Sequence, residues 1–195
     1  MKPVSTVEGI AIPLGRDNVD TDAILPGRFL KTITRTGLGK VAFEGIRIEP
    51  GNPFDDPRFA NAPILIAGNN FGCGSSREHA VWAMMDFGIQ AVIAEGFSDI
   101  FSGNAFKNGL LAVTQSRAAI DRLLADSAGG LSIDLARQSI RTRAGSSFRF
   151  EIDPFRKQCL LEGLDEIDLT LQDAARIDAF ERLRVSAEPW LNVTE

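Results

Sequence analysis

The chain has 195 residues, 44% hydrophobic and 24% charged, with a formal net charge of −5. That length supports one domain with a real core; the acidic balance excludes nucleic acid as the main partner, and no apolar run is long enough to span a membrane. A single His and two Cys, Cys73 and Cys159, exclude a zinc or iron–sulfur ligand set from this chain alone and exclude a disulfide framework.

The N-terminal stretch Met-Lys-Pro-Val-Ser-Thr-Val-Glu has no apolar signal core and reads as mature protein. With so few cysteines, a reducing cytoplasm is the natural home. Residues 7–14 alternate and predict one strand; residues 15–22 form a polar loop with three aspartates. That loop reads as a turn with side-chain caps, because the Gly and terminal Glu of an EF-hand are missing. Residues 24–30 are apolar but broken by Pro26-Gly27, and residues 31–39 are a polar loop rich in Thr and Gly. Residues 49–61, with Pro50, Pro53 and Pro57, predict an exposed connection.

From residue 63 the rhythm becomes strand and helix in turn. Strands are expected at 63–67, 89–94 and 110–114, and helices at 77–87, 98–107 and 117–125. This βαβαβα spacing implies a parallel sheet. Residues 131–136, 139–143 and 147–152 alternate and predict antiparallel strands, followed by helices at 153–161 and 172–184. No repeat or low-complexity segment breaks the chain, so residues 1–195 read as a single domain.

Between the first of these strands and its helix lies Phe71-Gly-Cys-Gly-Ser-Ser-Arg-Glu-His-Ala80. A glycine-rich turn before a helix gathers unpaired N–H groups and the positive end of the dipole, which favours anions. Arg77 adds a guanidinium fork suited to a carboxylate or phosphate. No Lys-Ser or Lys-Thr follows the glycines, and Ser75 is not in a G-x-S-x-G setting, so neither a phosphate loop nor a nucleophile elbow is present. The structural alternative is a capping box, with Ser75 as N-cap and Glu78 three residues on. His79, the lone histidine, reads as a packing or hydrogen-bonding residue rather than a triad member. Cys73 reads as a small residue beside two glycines, with a nucleophilic thiol as the alternative.

Together with Asn18-Val-Asp-Thr-Asp22 and Gly163-Leu-Asp-Glu-Ile-Asp-Leu-Thr-Leu171, this decapeptide resembles the small-subunit family of bacterial 3-isopropylmalate dehydratase, in the aconitase superfamily. The resemblance covers nearly the whole chain. It implies an α/β fold, the three-layer β/β/α swivel domain, with a parallel βαβαβ core and additional antiparallel strands. It implies a hydro-lyase of leucine biosynthesis that is inactive without its large subunit. No cofactor is expected on this chain; a [4Fe–4S] cluster is expected on the large subunit. By the same resemblance Ser75 is the catalytic base, and Ser76, Arg77 and Arg35 bind the substrate, a small dicarboxylic hydroxy acid. The loop at residues 30–36 is where specificity for the alkyl group is expected. The partner is the large subunit in a heterodimer, with self-association of the isolated chain left open. The alternatives are a sibling enzyme acting on 2,3-dimethylmalate or methylmalate-type acids, and a non-catalytic anion-binding assembly module.

Overall fold

The computed structural model describes residues 1–191 and divides the chain into two compact units, Met1–Gly163 and Leu164–Glu195. The first unit begins with β1 (Thr6–Gly9) and β2 (Ala11–Pro13). The sequence predicts one strand over 7–14, but these two strands belong to different sheets. The switch falls at Gly9, where a Cβ would sit 2.6 Å from the ring of Pro63. Only a residue without a side chain lets the backbone pass there.

Two short helices follow, α1 (Thr21–Ile24), capped by the Asp20 carboxylate, and α2 (Glu44–Arg47). Beyond them the connection at 49–61 is less exposed than its composition predicts. Phe54 and Phe59 are buried, and the Phe54 ring stacks 4.2 Å from that of Phe43. The prolines and polar residues hide two aromatic anchors.

Then comes the expected alternation: β3 (Ile64–Ile66), α3 (Glu78–Phe87), β4 (Ala91–Ala94), α4 (Asp99–Asn108), β5 (Leu111–Thr114) and α5 (Arg117–Asp126). Ser98 and Ser116 cap the last two helices by accepting from Phe101 N–H and Ala119 N–H. The strands pair in parallel in the order β2-β3-β4-β5. Next, β6 (Leu131–Asp134), β7 (Ser139–Thr142) and β8 (Ser147–Arg149) form an antiparallel sheet with β1 at its edge, in the order β1-β6-β7-β8. The unit closes with α6 (Pro154–Glu162).

Strand alternation sorts the core into layers. Ile12, Leu65, Val92 and Ala94 face α3 and α4, packing with Ala80, Val81, Met84 and Phe101. Their neighbours Ala11, Ile64, Ile66, Ala91 and Ile93 face the other way, onto Val7, Leu131, Ile133 and Ile140 of the antiparallel sheet. The result is a β/β/α arrangement. Helix α5 lies on the same side as the antiparallel sheet, through Ile120 and Leu123.

The second unit contains α7 (Glu166–Leu171) and α8 (Ala174–Ala187). Asp165 and Asp168 form a reciprocal capping box that starts α7, a helix not predicted from the sequence. Among the described residues, no helix is long and apolar enough to cross a membrane.

One glycine of the turn is fixed by packing. Gly72 has φ of +74°, and a Cβ there would lie 2.2 Å from Phe101 Cγ. Phe101 is fully buried, with its ring 5.2 Å from Phe71. Strain and overpacking therefore add, and Gly72→Ala is expected to cost about 2–4 kcal/mol. Urea unfolding measures it; an unchanged midpoint would mean that the turn does not depend on this approach.

Candidate active site

The loops that leave β2, β3 and β4 at their carboxyl ends are stitched to one another by backbone hydrogen bonds. Asn18 N–H donates to Asn69 O at 2.8 Å, Gly72 N–H to Val19 O at 2.7 Å, and Thr21 N–H to Cys73 O at 2.9 Å. On the other side, Phe71 N–H donates to Gly96 O at 2.9 Å and Ser98 Oγ to Gly72 O at 2.6 Å. The glycine-rich turn is thus held between the 15–22 loop and the start of α4, at the edge of the sheet where open parallel folds bind ligands.

Ser75 and Ser76 stand exposed at the crest of this turn. Neither is the helix N-cap. Helix α3 starts at Glu78, the capping position belongs to Arg77, and no side chain makes the cap bond. The capping-box reading of Ser75 is therefore corrected. Its would-be partner Glu78 instead accepts from Asn108 Nδ2 at 2.8 Å and Trp82 Nε1 at 3.3 Å. The turn is fixed from below, by Thr21 Oγ1 donating to Ser75 O at 3.0 Å. Among the described residues, no acceptor takes the backbone N–H of Ser75 or Ser76. Two exposed hydroxyls and free N–H groups ahead of a helix make a surface complementary to an anion.

Arg77 is half-buried and forms an ion pair with Asp22, whose side chain is 56% exposed. The hydrogen bond from Arg77 holds the Asp22 carboxyl below its ordinary value, against burial, with the Arg77 charge and the Gly27 N–H also lowering it. This pairing occupies Nη1 of the guanidinium. A fork has five N–H donors, so one carboxylate partner leaves others for a second anion. Asp22 lies in the Asn18–Asp22 segment, whose alternation of Asp with Thr and Val reads as a turn; nothing local in the sequence shows that it faces a residue 55 positions away.

Arg35 reaches α3 rather than the turn. Its guanidinium lies 4.8 Å over the ring of Trp82. His79 fulfils its packing and hydrogen-bonding expectation, with Nε2 3.0 Å from Thr32 O and its ring 4.5 Å from Trp82. Trp82, which in the sequence is only one more apolar residue of a helix, therefore sits at the centre of the contacts around Arg35. Cys73 is partly exposed, whereas Cys159 is buried and its thiol is pushed up by desolvation. Among the described residues, no group of three His, Cys, Asp or Glu side chains converges as a metal site.

Residues 1–118 match the family model for the aconitase C-terminal domain. Residues 166–193 match the model for the C-terminal domain of the 3-isopropylmalate dehydratase small subunit, and residues 121–154 match LeuD_N. A 3-isopropylmalate dehydratase small subunit from Zymomonas mobilis is 56% identical over 192 residues, spanning 98% of this chain and 100% of the relative. The chain belongs to the 3-isopropylmalate dehydratase small-subunit family. A member from Novosphingobium aromaticivorans is 57% identical over 192 residues, covering 98% of this chain and 95% of the relative. Among solved structures, a crystal structure of 3-isopropylmalate dehydratase from Methanocaldococcus jannaschii is similar with a TM-score of 0.68 and 30% identity, covering 90% of this chain and 99% of that one. The aconitase-type match spans the turn with Ser75, Ser76 and Arg77, the Asn18–Asp22 segment and Arg35.

Proposed function

We propose that this chain supplies the base and a carboxylate anchor to a two-subunit hydro-lyase that interconverts 2-isopropylmalate and 3-isopropylmalate in leucine biosynthesis. What carries this reading is the turn itself: exposed Ser75 and Ser76 beside a half-buried Arg77 at the carboxyl ends of a parallel sheet. The proton removed lies on the carbon between the hydroxyl-bearing carbon and a carboxylate. The Ser75 alkoxide takes that proton and becomes a hydroxyl as hydroxide departs from the adjacent carbon and isopropylmaleate forms; once Ser75 gives its proton up again, the net change is loss of water. Rehydration in the opposite orientation places the oxygen of water on the carbon that lost the proton and a proton on the carbon that lost the hydroxyl, giving 3-isopropylmalate. A neutral serine is too weak for this step, so its alkoxide must be stabilised. Arg77 and the free N–H groups before α3 supply that field. Arg77 also holds a substrate carboxylate with the donors that Asp22 leaves open, and Ser76 and Arg35 complete the binding set.

The acidic and thiol groups described in this chain do not converge on a metal, so we assign the [4Fe–4S] cluster to the large subunit. When bound there, it supplies Lewis-acid help to the departing hydroxyl. The chain then acts in the cytoplasm, completed by the large subunit.

The test is reconstitution. The isolated chain is expected to purify without iron and to show no turnover; adding its large subunit is expected to give interconversion of the two isopropylmalates. Stoichiometric iron on the isolated chain would overturn the cluster assignment. A complex that turns over 2,3-dimethylmalate but not isopropylmalate would overturn the substrate.

A further inference from the structure

Residues 31–36 are nearly all exposed, yet they are fastened to α3 at two points. The first is the hydrogen bond between His79 Nε2 and Thr32 O, at 3.0 Å. A carbonyl only accepts, so Nε2 carries the proton and donates. The second is the Arg35 guanidinium over the Trp82 face, at 4.8 Å. Trp82 is itself held. Its indole N–H donates to Asn108 Oδ1 at 3.0 Å, its ring rests 4.5 Å from His79, and Asn108 donates to Glu78 at 2.8 Å. Both fastening side chains therefore project from the first turns of the helix that begins right after Arg77. Between the two points Ile33 is 94% exposed, an apolar side chain with nothing in the first unit to cover it.

We propose that His79 and Trp82 are positioning residues that clamp this loop to α3, and so present Arg35 and Ile33 to the carboxylate and alkyl group of the substrate. The proposal rests on the reading of Ser75 and Arg77 as the site that receives that substrate. Physically, a flexible loop recognises an alkyl group poorly, because ordering it at the moment of binding weakens affinity. A clamp made by a planar cation on an indole and one side-chain donor orders the loop beforehand. It leaves Ser75 and Arg77 untouched, so its loss should weaken binding more than the chemical step.

Two readouts separate the clamp from the site. In the isolated full chain, trypsin cleavage after Lys31 reports loop opening. His79→Ala and Trp82→Leu should each speed it about five- to tenfold. His79→Gln, which restores a donor for Thr32 O, and Trp82→Phe, which keeps a face for Arg35, should stay within about twofold of wild type. Trp190→Phe leaves Trp82 as the one tryptophan of a chain that has two; in that background Arg35→Ala should raise acrylamide quenching of its emission. In the complex, His79→Ala should raise KM for isopropylmalate about tenfold with kcat within about threefold. Should Trp82→Leu fail to fold, the His79 and Arg35 variants carry the test alone. Wild-type cleavage rates in His79→Ala would overturn the clamp, and faster cleavage with an unchanged KM would overturn its role in substrate binding. An inactive wild-type complex would instead refute the Ser75 reading, whatever the cleavage rates.

Discussion

Replacing Ser75 by alanine in the assembled enzyme is expected to lower kcat by about 10²–10⁴-fold, the usual worth of a general base, while leaving stability within about 0.5 kcal/mol of wild type. The two halves of this expectation come from different observations. The loss of turnover follows from an exposed hydroxyl placed ahead of α3 beside Arg77. The unchanged stability follows from the cap geometry. A serine that capped α3 would cost about 1 kcal/mol when truncated. Here the cap position is Arg77, and the turn is tied through the Ser75 carbonyl, which alanine keeps. A folded variant with turnover within about tenfold of wild type would show that Ser75 is not the base.

Changing Arg77 to lysine tests a different part of the chemistry. Charge is retained, and so is a partner for Asp22 on the neighbouring loop. What disappears is the planar fork that serves Asp22 with one nitrogen and a substrate carboxylate with others. An ammonium offers three donors from one point and does not bridge two carboxylates in fixed geometry. Losing one charged hydrogen bond is worth about 1.5–3 kcal/mol, so kcat/KM should fall by about 10–150-fold. Urea unfolding of the variant should stay close to wild type, since lysine keeps a cation for the largely exposed Asp22 carboxylate. Unchanged kcat/KM would mean that substrate does not use the Arg77 fork.

The layers of the fold are legible in the sequence because their signals are local. Alternation and helical spacing mark each strand and helix from 63 to 126, and serines mark the starts of α4 and α5. The split of 7–14 into two strands is not legible. Its cause is the approach of Pro63, 54 positions away from Gly9, which no window of sequence contains. The same limit applies to the site. Ser75, Ser76 and Arg77 are adjacent in sequence and stand out as a motif. Asp22 and Trp82 gain their meaning only when the loops after β2 and β3 meet and when the 31–36 loop folds back on α3. The capping-box pattern misleads for a related reason. Glu78 has the right spacing, but Trp82 and Asn108 compete for its carboxylate, and the helix begins further along the chain than the pattern suggests, at Glu78 itself.

Mixing experiments with a limiting amount of the large partner test most directly whether this chain brings the base to a shared active site. At saturating total small subunit, wild-type chain is replaced stepwise by Ser75→Ala chain, and the initial rate of isopropylmalate interconversion is followed. If Ser75 is the base and its loss leaves the docking surface intact, the rate falls in proportion to the fraction of variant and approaches zero at full replacement. A rate that holds at the wild-type level up to complete replacement would contradict the assignment, because the variant would then be supplying whatever the large subunit needs.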